Sequence, residues 1–208
     1  MKKLSSCISI GLILGSSSSK TRPDLIVDSA MSRKEALGNN HFPSTILDRM
    51  ELVTVTYRGF DNHRHQGQIV VDKAIAEDVR QIFREIEATG YPITKVVPIV
   101  RYGWDDDRSI GDNNTSAFNY RHVMGPGQQT TKLSNHSYGR AIDLNPKINP
   151  FVAKDGTTPR PYDPSKLGTL TLRSSVTRIF LKHHWRWGGQ WRSGKDYQHF
   201  ERLDNLIR

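Results

Sequence analysis

The strongest constraint on this chain is a single stripe of apolar side chains. Along Ala74–Thr89 (AIAEDVRQIFREIEAT), Ile75, Val79, Ile82, Phe83 and Ile86 recur at three- and four-residue spacings, and Gly90 follows. That pattern predicts an amphipathic helix with one buried face and a glycine stop. A one-faced helix needs another layer to cover it. Upstream, Glu51–Gly59 (ELVTVTYRG) sets Leu52, Thr54 and Thr56 against Val53, Val55 and Tyr57, the alternation of a half-buried strand. Asp61–Gly67 is polar and reads as a hairpin loop, with Gln68–Val71 as the return strand.

Further along, Ile93–Val100 (ITKVVPIV) reads as a buried strand that Pro98 confines to an edge or an end. Asp105–Thr115 reads as a polar loop leading to Ser116–Arg121. Gly139–Asn145 (GRAIDLN) reads as a strand with Ala141, Asp143 and Asn145 on one face. Arg140 alternates away from Asp143, which puts it at the surface. Ser174 or Ser175 caps a helix to about His184. Trp185–Trp191 (WRWGGQW) makes an aromatic turn and Tyr197–Glu201 (YQHFE) a final strand. Helices and strands intersperse with no βαβ rhythm and no glycine-rich nucleotide fingerprint. The expected fold class is α+β, a small, mostly antiparallel sheet with flanking helices.

Composition removes several alternatives. One cysteine in 208 residues excludes a disulfide scaffold. No apolar run approaches the roughly 18–20 residues of a spanning helix. Four Trp, seven Tyr and seven Phe argue against long disorder. Met1-Lys2-Lys3, the apolar stretch LSSCISIGLILG and Ser16–Ser19 have the layout of a secretory signal. The expected organisation is a signal peptide at 1–19, a linker at 20–46 with one short helix near Leu25–Leu37, and a folded domain at 47–208. Lys and Arg number 30 against 21 Asp and Glu, a net charge of +9. The cations are scattered, which argues against nucleic acid as partner and for attraction to an anionic cell envelope. An exported monomer in the periplasm or cell envelope, or fully secreted, without stable membrane insertion, is expected.

Two histidines carry the chemistry. His136 lies in Ser134-Asn135-His136-Ser137-Tyr138-Gly139-Arg140-Ala141-Ile142-Asp143, and His199 in Asp196-Tyr197-Gln198-His199-Phe200-Glu201. A catalytic zinc takes three His or carboxylate ligands and keeps one open position. His136, Asp143 and His199 supply such a set, with small Ala141 leaving space. Asp196, three residues before His199, is placed to take a proton from water activated by the metal. Spacing alone leaves another arrangement open: a hydrogen-bonded His136–Asp143 pair, with His199 packed in the core.

Ser134-x-His136-x-x-Gly139-x-Ala141-x-Asp143 resembles the SxHxxGxAxD motif of the zinc D-Ala-D-Ala carboxypeptidases and dipeptidases, the M15 peptidases. Asp196-x-x-His199 resembles that family's second motif. Trp187–Trp191 and His199-Phe200-Glu201 look like its C-terminal segment, and Asn114–Arg121 like the segment carrying its substrate-polarising arginine. The resemblance runs in order from about Gly111 to Glu201. It implies a hedgehog/DD-peptidase-like fold, a Zn2+ cofactor and peptidoglycan stem peptides as substrate. It implies His136, Asp143 and His199 as metal ligands, and Asp196 as general base and then proton donor. Arg121 would stabilise the oxyanion, and Ser134 and Ser116 would contact substrate. Aspartate at the base position looks more like the endopeptidase branch that cuts between L-Ala and D-Glu, so both activities stand. The rivals are a non-catalytic wall-peptide-binding module on the same fold and, last, a basic nucleic-acid-binding protein.

Other motifs have plainer readings. His63-Arg64-His65 reads as a solvated hairpin loop rather than a second metal site, and Asp105-Asp106-Asp107 as a solvated loop. His183-His184 is structural, at a helix end that favours cations. At least two of Trp185, Trp187 and Trp191 pack beneath the site.

Overall fold

The computed structural model describes residues 25–38, 42–125 and 128–203. The expected signal segment, 1–19, lies outside them. In chain order, the first elements are β1 (Ile26–Val27), α1 (Arg33–Leu37), α2 (Ser44–Leu47), β2 (Met50–Arg58), β3 (Arg64–Asp72) and α3 (Ala76–Thr89). Then come β4 (Lys95–Val96), α4 (Asp106–Gly111), β5 (Asn114–Thr115), β6 (His122–Gly125) and β7 (Gln128–Leu133). The last are β8 (Ala141–Asp143), β9 (Phe151–Ala153), α5 (Ser175–Lys182), β10 (Arg186–Trp187), β11 (Gly194–Asp196) and β12 (His199–Glu201). The fold is α+β, as expected, but its strands form several small sheets instead of one.

The first sheet has the order β1-β3-β2. β2 and β3 pair antiparallel from Met50 opposite Asp72 to Arg58 opposite Arg64. Alternation sorts their side chains. Val53, Val55, Tyr57, Ile69 and Val71 join the α3 stripe of Val79, Ile82, Phe83 and Ile86 in the main core. Gly90, at φ +72°, ends α3 in the left-handed region. Met50 and Val70 face the other way, against Ala36 and Leu37 of α1 and against Phe118. The short helix expected near Leu25–Leu37 thus forms at Arg33–Leu37. The described part of the stretch read as a linker packs on the domain.

The second sheet, β10-β12-β8, extends the same core. Phe180 of α5 stacks on Phe200 of β12 with centroids 3.9 Å apart. Trp185 and Trp187 are buried. Pairs β4–β5, β6–β7 and β9–β11 complete the fold.

Several local expectations are corrected. The hairpin loop is shorter than its polarity suggested, because pairing reaches Arg64 and puts His65 inside the strand. His65 is buried, with Nδ1 2.9 Å from Asp28 Oδ2 and Nε2 3.1 Å from Asp61 Oδ1; two carboxylates replace the solvent. Of Ile93–Val100 only Lys95–Val96 is strand, since Pro98 opens a 3-10 turn over Ile99–Tyr102. The Asp105–Thr115 stretch contains α4, whose N-cap Asp105 accepts the Arg108 amide at 3.1 Å. Arg140 is buried, not at the surface, because its Nε meets Asp72 Oδ2 at 2.8 Å at the end of β3. Among the described residues, no helix is long and apolar enough to cross a membrane.

Candidate metal centre and active site

His136 is delivered by a tight 3-10 turn, Asn135–Tyr138. Ser134 caps it, its Oγ accepting the His136 amide at 3.3 Å. Gly139 closes it at φ +63°. A Cβ at that position would stand 2.6 Å from the Asp72 amide nitrogen, so only glycine fits against β3. The chain then enters β8, where Asp143 lies directly opposite His199 of β12. Strand pleating points two directly opposed side chains the same way. Asp143 is fixed from its other edge as well, exchanging backbone bonds of 2.9 and 3.1 Å with Ser116. Two residues beyond the strand, Asn145 adopts φ +47° and anchors its side-chain amide to Thr94 and Pro92.

The three side chains converge. His136 Nε2 is 3.2 Å from His199 Nδ1 and 3.3 Å from Asp143 Oδ2. His199 Nδ1 is 3.1 Å from Asp143 Oδ1. Neighbouring ligands of a tetrahedral zinc with bonds near 2.05 Å are about 3.3 Å apart. Two different oxygens of Asp143 make its contacts to the histidines; with one atom taken from each residue, the donors lie within 4.8 Å of one another and can hold a metal. Their outer partners set which nitrogens face inward. His136 Nδ1 donates to the Ala117 carbonyl at 2.7 Å, which leaves Nε2 facing His199 and Asp143. His199 turns Nε2 toward Glu201 Oε2 at 3.5 Å, and Asn135 donates to that same carboxylate oxygen at 2.6 Å.

The electrostatics separate two carboxylates. Burial pushes Asp143 up, but the His136 and His199 imidazoles outweigh it and hold the group well below the usual range. Asp196 moves the other way: burial, and then the Asp143 charge, push it above the ordinary range, against His199, His136 and Arg121. Its Oδ1 is buried with no hydrogen-bond partner. Burial pulls His199 down, but the carboxylates of Asp143 and Glu201 outweigh it and push the ring up to about 10. Two nearby carboxyls driven apart in this way suit different tasks, one ionised ligand and one proton carrier.

These groups line a cavity of about 900 Å³ that also takes in Arg121 and Ser134. Ile110, Val123, Phe151 and Trp191 form apolar walls. Ser116 is not among the lining residues; its contact to the site is the backbone pairing with Asp143. The aromatic turn closes the back. A Cβ on Gly188 would stand 2.5 Å from the Asp196 carbonyl and 3.2 Å from His199 Cβ, so the turn abuts Asp196 only as glycine. Trp187 donates its indole N–H to the Tyr197 carbonyl at 2.8 Å, and the Trp191 ring centres 5.1 Å from that of His199. Sequence reasoning missed the Ala117 carbonyl, Asn135 and Glu201. The period of two in a strand, which puts Glu201 on the face of His199, was the available signal for the last.

Comparison with known proteins agrees with this geometry. Residues 127–202 match the family model described as D-alanyl-D-alanine carboxypeptidase, a branch of the M15 peptidases. No curated protein and no solved structure matches the chain. The matched segment contains His136, Asp143, Asp196 and His199, and it supports the resemblance to the M15 peptidases.

Proposed function

We propose that this protein is a zinc-dependent hydrolase of peptidoglycan stem peptides. It would act either as a D-Ala-D-Ala carboxypeptidase or as an L-Ala-D-Glu endopeptidase. The observation that carries the reading is the convergence of His136, Asp143 and His199, one donor atom from each within 4.8 Å of the others, in a cavity also lined by Asp196, whose Oδ1 is buried without a partner. A zinc ion bound there supplies a Lewis acid that polarises the scissile carbonyl and acidifies water.

The protein's own residues do the rest. His136, Asp143 and His199 hold the ion. Asp196 takes a proton from the attacking water and passes it to the leaving amine, a role that suits a carboxyl raised by burial. Arg121 sets a fixed positive charge where negative charge grows on the carbonyl oxygen. Ser134 lies on the cavity wall, within reach of the substrate backbone. Ser116 supports Asp143 from behind. The working protein is an exported monomer of the cell envelope, its domain spanning 47–208 together with the packed segment before it.

Mass spectrometry of purified muropeptides after incubation with the zinc-loaded protein tests this. Loss of one terminal alanine identifies carboxypeptidase action, and a cut that leaves L-Ala on the sugar and frees the peptide beginning at D-Glu identifies endopeptidase action. Asp196→Ala keeps its zinc and loses hydrolysis. Wild-type turnover by that variant, or no mass change with the wild type, sinks the reading.

A further inference from the structure

We propose that Asp106 is a positioning residue for Arg121, an inference that rests on the role assigned to Arg121 above. The Asp105-Asp106-Asp107 run looks like solvated loop in sequence, but Asp106 sits in the first turn of α4 and lines the cavity. Its two oxygens face different partners. Oδ1 accepts the Asn119 side-chain amide at 2.9 Å, and Asn119 is buried, its own backbone amide donating to the His136 carbonyl at 3.2 Å. Oδ2 stands 2.5 Å from Arg121 Nε. That nitrogen is buried, and the contact is an ion pair rather than an aligned hydrogen bond.

The backbone of Arg121 is already fixed to the turn that carries His136. Its amide donates to Ser137 Oγ at 2.8 Å, and its carbonyl accepts from Ser137 Oγ at 2.6 Å and from the Ser134 amide at 3.0 Å. The long side chain beyond that point is free to sample rotamers unless something holds it. Asp106 holds the Nε edge of the guanidinium. The two Nη groups, the other half of the fork, are left for substrate. The contact exchanges some positive field for a fixed direction, which is what stabilisation of a developing charge requires. A chain of contacts thus runs from the metal-binding turn through Asn119 and Asp106 to Arg121, and ties the cation's aim to the ligand's position.

The test is a double-mutant cycle on muropeptide hydrolysis by zinc-loaded, full-length protein, with kcat and KM measured separately. Arg121→Ala is expected to lower kcat by about 10²–10³-fold. Asp106→Asn, which keeps the shape and removes the charge, is expected to lower kcat by roughly 10–100-fold with little change in KM. Zinc content and melting temperature stay at wild-type values. The double variant falls no lower than Arg121→Ala, and Asp106→Glu recovers part of the loss. Full kcat in Asp106→Asn overturns the inference, as do losses that multiply in the double variant. A fall in kcat matched by a fall in zinc content or melting temperature also overturns it, in favour of a structural role. Full activity in Arg121→Ala overturns both this inference and the oxyanion assignment beneath it, whereas an inactive Arg121→Ala beside a fully active Asp106→Asn leaves that assignment standing.

Discussion

Glu201 decides how His199 presents itself. Its carboxylate lies 3.5 Å from Nε2 and is steadied by Asn135, so Nδ1 faces Asp143 and the prospective ion. Outer partners of this kind affect metal affinity directly. Glu201→Gln is expected to weaken zinc binding by roughly 10–100-fold, read by competition with a chromophoric chelator. An unchanged affinity would mean that the ring is held by packing alone. Removal of zinc by dialysis against a chelator is expected to abolish hydrolysis, and readdition to restore it. Activity that survives complete metal removal rules out the three donors as the working centre.

Among the elements, the aromatic turn and the β8–β12 ladder matter most. Gly188 lets the turn lie against Asp196 at distances no Cβ tolerates, and close against His199. Gly188→Ala is therefore expected to cost at least tenfold in kcat and to lower the melting temperature. Wild-type kcat in that variant would show that the turn gives way without disturbing the site. The Arg140–Asp72 pair joins β8 to β3, with both side chains buried and Arg49 as a further partner at 2.7 Å. Arg140→Ala is expected to destabilise the fold by about 3 kcal/mol in a denaturant titration, the scale of a buried charge left short of its partner. The α3 stripe and the β2 alternation were legible because each repeats a period over many residues. So was the grouping of His136, Asp143 and His199, which the resemblance of two motifs to the M15 peptidases led us to expect. Arg140, His65 and α4 were not legible. Arg140 and His65 depend on Asp72 and Asp28, which are remote from them in sequence, and α4 is a short helix in a polar run, marked by its Asp105 cap. Ile93–Val100 was misjudged because apolar content does not distinguish a strand from a 3-10 turn after Pro98.

On the scale of the whole molecule, α3 and α5 are clamped by His183, whose Nδ1 meets Asp78 and whose Nε2 meets Glu85 at 2.5 and 2.9 Å. Burial works against the charge on His183, but Glu85 and Asp78 outweigh it, and the folded imidazole titrates above its ordinary value. A raised histidine stabilises the fold fully below the unfolded value near 6.5 and loses that contribution as pH rises through the folded one. The gap in melting temperature between wild type and His183→Asn should thus be widest below about pH 6 and narrow in alkaline buffer. A gap that does not change with pH would mean the ring acts through packing and not charge. Asp72 has the opposite sign: burial raises it, but the Ala74 amide, Arg140 and Arg49 hold it low, so its contribution is lost as acid takes the pH down through the depressed value.

The register of β12 against β8 has a consequence for synthesis. His136 and His199 are 63 residues apart in the chain. A polypeptide still emerging from the ribosome carries only two of the three donors until the last strand docks. A product cut short before that strand lacks His199 and carries an incomplete donor set.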